Sequence, residues 1–131
     1  MEDKALMALA RQARDNAYAP YSHFTVGAAL LTADDRVYTG CNIENGAYSP
    51  TNCAERTAFF KAISEGERDF VAIAVCGGKA GEEADFCPPC GVCRQVMAEF
   101  CDPATFAVIV PQDNEVRRFL LTELLPFSFS L

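Results

Sequence analysis

The chain has 131 residues, half of them hydrophobic, and a formal net charge of −7. That is enough for one domain, residues 1–131, with a core that needs no disulfides. The acidic balance weighs against a polynucleotide partner, since binding a phosphate backbone is driven by Lys and Arg, and no apolar run reaches the length of a membrane-spanning helix.

The charged start, Met1-Glu2-Asp3-Lys4, lacks the basic segment and apolar core of a signal peptide, so a cytoplasmic location is expected. In that setting the seven cysteines point to reduced thiols and metal binding rather than disulfides. Residues 3–16 read as an amphipathic helix with Leu6, Leu9, Ala10, Ala13 and Ala17 at helical spacing. Tyr18-Ala19-Pro20-Tyr21-Ser22 breaks it. Residues 24–32 are apolar nearly throughout and read as a buried strand; Asp34-Asp35 turns the chain, and residues 36–41 return as the second strand of a hairpin. Residues 42–52, rich in Asn, Gly, Ser and Pro, read as a loop.

Asn52 is placed as the N-cap of a helix over 53–65 that Gly66 ends. Residues 70–76 form a short apolar strand and 77–84 a loop. Pro89 precedes a helix over 91–101, residues 106–110 form a strand, and Pro111 to Asn114 turn. A fifth strand follows over 116–119, and Thr122-Glu123-Leu124-Leu125 makes one helical turn stopped by Pro126. Helices alternating with strands from residue 53 onward imply parallel pairing there. The expected fold is α/β, a three-layer α-β-α arrangement around a five-stranded mixed sheet.

Two stretches carry the chemistry: Asn52-Cys53-Ala54-Glu55-Arg56 and Pro89-Cys90-Gly91-Val92-Cys93-Arg94-Gln95. Cys90 and Cys93 can reach one ion from the first turn of a helix, and Cys53 can add a third sulfur. Three protein ligands and one open position is the count of a catalytic zinc; structural zinc is closed by four. Glu55 then stands beside the metal without ligating it, placed as a carboxylate that can move protons to and from a reacting group. Three thiolates make the centre negative, and Arg56 is positioned to withdraw part of that charge.

Plainer readings compete. A lone Cys-x-x-Cys is also a redox dithiol motif, but Pro89 and the remote Cys-x-Glu favour zinc. Cys87 as a fourth ligand would close the site; two prolines separate it from the helix that presents the other pair. Cys41, Cys76 and Cys101 read as small buried apolar residues. His23 reads as exposed and the acidic run 82–85 as a solvated surface. Phe24, Phe127 and Phe129 could all be core aromatics.

The motifs match a known arrangement, that of the zinc-dependent deaminases, and the chain resembles the short, homotetrameric cytidine deaminases. The likeness runs through residues 18–24, 26–30, 40–45, 53–58, 89–95 and 123–126. It implies deamination of cytidine and 2′-deoxycytidine in pyrimidine salvage, with one Zn²⁺ per chain on Cys53, Cys90 and Cys93 and Glu55 as acid/base. It also implies that Asn42 and Glu44 bind the ribose 3′-hydroxyl, that Phe24 packs on the pyrimidine, and that the Ala54 N–H donates to its O2. Tyr48 and Phe129 are then contributions to a neighbouring subunit's site. The chain departs from the usual pattern at Gly46-Ala47-Tyr48 and Cys87-Pro88-Pro89, and its C-terminus stops at Leu131. A deaminase of another cytosine compound, such as blasticidin S, is the near alternative, and a zinc-stabilised binding module without activity is the distant one.

Overall fold

The computed structural model describes residues 1–131. Nine elements follow one another: α1 (Asp3–Arg14), β1 (Phe24–Thr32), β2 (Val37–Cys41), α2 (Ala54–Ser64), β3 (Phe70–Lys79), α3 (Gly91–Phe100), β4 (Ala107–Gln112), β5 (Glu115–Leu120) and α4 (Leu121–Leu124). The strands form one sheet in the order β2-β1-β3-β4-β5. β1 pairs antiparallel with both β2 and β3, β3 pairs parallel with β4, and β4 pairs antiparallel with β5.

Strand side chains alternate between two cores, as period-2 geometry requires. Ala28, Leu30, Ile73, Val75, Val108 and Val110 face α2 and α3. Ala29, Leu31, Ala72, Ala74, Ala107 and Ile109 face α1, where they meet Leu6, Met7 and Ala10. Both faces are covered, so the arrangement has the three expected layers. The α2/α3 side is the bulkier, with Phe59 edge-on to Phe70 at 5.2 Å between ring centroids.

Two glycines let the helices settle onto the sheet. A Cβ on Gly27 would lie 2.0 Å from the Ala10 carbonyl oxygen of α1, and one on Gly40 would lie 2.5 Å from the Ala54 carbonyl oxygen of α2. The second contact brings the start of α2 down onto β2, and so fixes where the residues at its N-terminus stand.

Several expectations are corrected. Parallel pairing is confined to β3 and β4; β5 returns from β4 through a tight hairpin whose Asp113 and Asn114 both have positive φ, the geometry of a two-residue turn between strands. Pro111 and Gln112 therefore belong to β4, and Pro111 pairs with Val116. β3 runs on to Lys79 because β1 pairs it as far as Phe24. Met7 joins the buried face of α1, while Leu9 and Ala13 are only half-buried. The N-cap of α2 is Cys53, not Asn52; Asn52 bridges backbone to Ile43 and donates its Nδ2 to Thr57 Oγ1 at 3.2 Å.

Candidate metal centre and substrate cavity

Cys53 caps α2 and Cys90 caps α3, both in extended backbone, with no side-chain cap bond at either end. The first-turn N–H groups and the positive ends of both helices are thus left for the sulfurs. Cys93 lies one turn into α3 and is buried. The three Sγ atoms fall within 4.8 Å of one another, with Cys53 and Cys90 3.9 Å apart. Zinc–sulfur bonds of about 2.3 Å in a tetrahedron put sulfurs about 3.8 Å apart, so the Cys53–Cys90 separation matches zinc and Cys93 is close enough to join them. Cys87 is not part of this group.

The electrostatics suit a thiolate site. Cys53 is lowered to about 5, chiefly by its hydrogen bond with Cys93 and then by Arg56. The neighbouring Cys53 sulfur and burial push the Cys93 thiol up, and a bound metal ion would displace its proton. Arg56 Nη2 donates to Cys53 Sγ at 3.2 Å. Its Nε is buried without a partner. Glu55, 4% exposed, has its carboxyl raised above the usual range by burial, and the Cys53 charge adds to the rise.

A cavity of about 220 Å³ opens over the sulfurs. Its walls include Val26, Asn42, Glu44, Ala54, Glu55 and Cys87. The concavity among Arg11, Arg14, Glu83 and Asp113 is larger, about 550 Å³, but the thiol group lies outside it. Cys87 sits over Gly77 beside Phe24 and Val26: a Cβ on Gly77 would be 2.9 Å from its sulfur. Burial pushes this thiol up to about 11, so it is a neutral wall.

The other residues singled out in the sequence divide into two groups. Phe24, Asn42, Glu44 and Ala54 gather at or beside the cavity. Asn42 already spends part of its amide on β1, accepting from the Val26 N–H and donating to the Phe24 carbonyl, each at 2.8 Å. Glu44 accepts from the backbone N–H groups of Tyr21 and Ser22 and from the Ser22 hydroxyl. That hydroxyl is the main reason its carboxyl is lowered. Tyr48 and Phe129 stand apart, 79% and 66% exposed, and neither lines the cavity. His23 is exposed, as expected.

Sequence reasoning missed Val26 and Thr51 as cavity walls. It also missed Arg94, whose Nε donates to the Pro89 carbonyl and Nη1 to the Leu124 carbonyl, both at 2.7 Å. Its place directly after Cys93 was the available signal.

Comparison with known proteins agrees with this geometry. The family described as the cytidine and deoxycytidylate deaminase zinc-binding region matches residues 1–109. Cytidine deaminase of Sporosarcina psychrophila is 49% identical over 130 residues, covering 99% of this chain and 93% of that one. The Halalkalibacterium halodurans cytidine deaminase is 50% identical, with 99% and 96% covered. The crystal structure of cytidine deaminase from Burkholderia pseudomallei superposes with a TM-score of 0.89 at 48% identity, covering 98% of this chain and all of that one. Blasticidin-S deaminase of Bacillus cereus is more distant, 28% identical over 109 residues, with 80% of this chain and 76% of that one covered.

Proposed function

The chain belongs to the cytidine and deoxycytidylate deaminase zinc-binding family, and from that premise we propose that it hydrolyses cytidine and 2′-deoxycytidine to uridine and 2′-deoxyuridine with release of ammonia. The observation that carries this is the three-sulfur set with a buried carboxyl beside it, under a cavity of about 220 Å³.

Zinc, the family's metal, would be held by Cys53, Cys90 and Cys93 and would supply Lewis acidity that makes the attacking water acidic. The chain's own groups do the rest. Glu55, its pKa raised by burial, accepts a proton from that water and passes it to the ring nitrogen beside the attacked carbon. Glu55 then takes the remaining proton from the added hydroxyl and hands it to the amine, so the carbon–nitrogen bond breaks, the carbonyl forms and ammonia leaves. Arg56 offsets the thiolate charge through its bond to Cys53. Phe24 packs against the base, the Ala54 N–H donates to O2, and Asn42 and Glu44 meet the ribose. Their existing bonds to β1 and to residues 21–22 hold both side chains still before substrate arrives.

The working unit is a homotetramer, in which Tyr48 and Phe129 complete sites on neighbours. The support is that Tyr48, Phe127 and Phe129 are largely exposed on one chain. Each chain acts as one domain over residues 1–131. Seven free cysteines suit a reducing cytoplasm and a role in pyrimidine salvage. The net charge of −7 favours a free nucleoside over a polynucleotide.

Incubating the zinc-loaded protein with cytidine and following ultraviolet absorbance tests the reading. Loss of the cytidine band with stoichiometric ammonia is expected. A zinc-replete protein that leaves cytidine intact but deaminates blasticidin S would overturn it.

A further inference from the structure

We propose that Arg14 is a positioning residue for the substrate cavity, acting through the sheet from the face opposite the sulfurs. Near its start, β1 presents Phe24 and Val26 to the cavity side and Thr25 and Gly27 to the α1 side. Helix α1 closes on the strand there: a Cβ on Gly27 would lie 2.6 Å from the Arg14 backbone nitrogen. From this point the Arg14 guanidinium reaches three segments. Nε donates to the Thr25 carbonyl at 3.0 Å and to Thr25 Oγ1 at 2.9 Å, Nη1 to the Glu82 carbonyl at 2.7 Å, and Nη2 to the Lys79 carbonyl at 2.8 Å.

Those acceptors are the start of β1, the end of β3 and the loop between β3 and α3. The loop offers little to hold itself in place: Gly81, Glu82, Glu83 and Asp85 are all exposed. Its backbone ties to the body are the Ala80 N–H on the His23 carbonyl at 2.8 Å, the Glu82 N–H on the Lys79 carbonyl at 3.0 Å and the Asp85 N–H on the Gly77 carbonyl at 2.9 Å, and Ala84 packs against the core on the α1 side. Two residues past Asp85, Cys87 sets its sulfur over Gly77 beside Phe24 and Val26. One guanidinium therefore holds, from behind, the backbone that carries these three side chains.

A lysine cannot replace this. Its ammonium is a point charge, while the flat guanidinium directs several N–H groups at fixed angles. The distinction separates the proposal from a simpler one. Arg14 is the last residue of α1, where any cation would favour the helix dipole. A charge role predicts that Arg14→Lys behaves normally; the fork role predicts that it fails like Arg14→Gln.

The proposal rests on the cytidine reading only for its kinetic arm. In both variants, hydrogen exchange at the Ala80 and Asp85 amides should quicken about tenfold, reporting local opening of the loop. KM for cytidine should rise roughly tenfold with kcat within about twofold, the pattern of lost binding rather than lost chemistry. Zinc should stay at one per chain. Unchanged exchange in Arg14→Gln, or exchange and KM both restored by Arg14→Lys, would overturn the proposal. If Arg14→Gln does not fold, Arg14→Lys decides by the same readouts. If the unmodified protein leaves cytidine intact, the functional reading fails, and exchange with zinc content still decides the role of Arg14.

Discussion

Arg56 stands in the first turn of the helix that Cys53 caps, and its Nη2 donates to the Cys53 sulfur at 3.2 Å. The same guanidinium lowers the carboxyl of Glu55, against the larger upward push of burial. Helix geometry puts Cys53 and Arg56, three apart, on one side, and the charge of the same guanidinium also reaches the adjacent Glu55. Removing it in Arg56→Gln should leave zinc bound but let the Glu55 pKa rise. Glu55 must be ionised to accept a proton, so the acidic limb of the pH–rate profile should move to higher pH. A limb that stays in place would mean that Arg56 only packs.

Glu55→Gln should keep the fold and the metal and lose nearly all turnover. General acid–base catalysis is worth ~10²–10⁴-fold, and this carboxyl serves two transfers. The check is kcat with zinc content measured on the same sample. A fall of less than tenfold would assign the proton transfers to another group.

Cys53→Ala should lose zinc and Cys87→Ala should keep it, although both sulfurs border one cavity. The reason is distance: Cys53 lies 3.9 Å from Cys90 and within the group of three sulfurs, and Cys87 is outside that group. Elemental analysis of the two purified variants decides, and full metal in Cys53→Ala would withdraw the ligand assignment.

Light scattering should report four chains. Ending the chain after Pro126 removes Phe127 and Phe129, which are largely exposed on the single chain, and should leave zinc in place. Base–aromatic stacking is worth about 1–3 kcal/mol, so loss of a neighbour's Phe129 should raise KM for cytidine by roughly tenfold or more. An active monomer with an unchanged KM would show that one chain completes the cavity.

The three-sulfur group and most of the fold were legible in the sequence alone. The triplet Cys53, Cys90 and Cys93 was legible because Cys-x-Glu and Pro-Cys-x-x-Cys place sulfurs at helix starts, a local property of spacing. The strands were legible because a sheet buried on both faces leaves long apolar runs, and 24–32 reads that way end to end. Tertiary structure decided what depends on partners remote in the chain. Whether β5 ran parallel or antiparallel hung on a two-residue turn at Asp113 and Asn114. β3 continued past Cys76 because β1 was there to pair with it. The cap of α2 fell on Cys53 because Asn52 was drawn into a bridge with Ile43. In the sequence Arg14 is one more charge on an amphipathic helix. Its acceptors lie 11 to 68 positions away, and only folding brings three backbone segments within reach of one guanidinium.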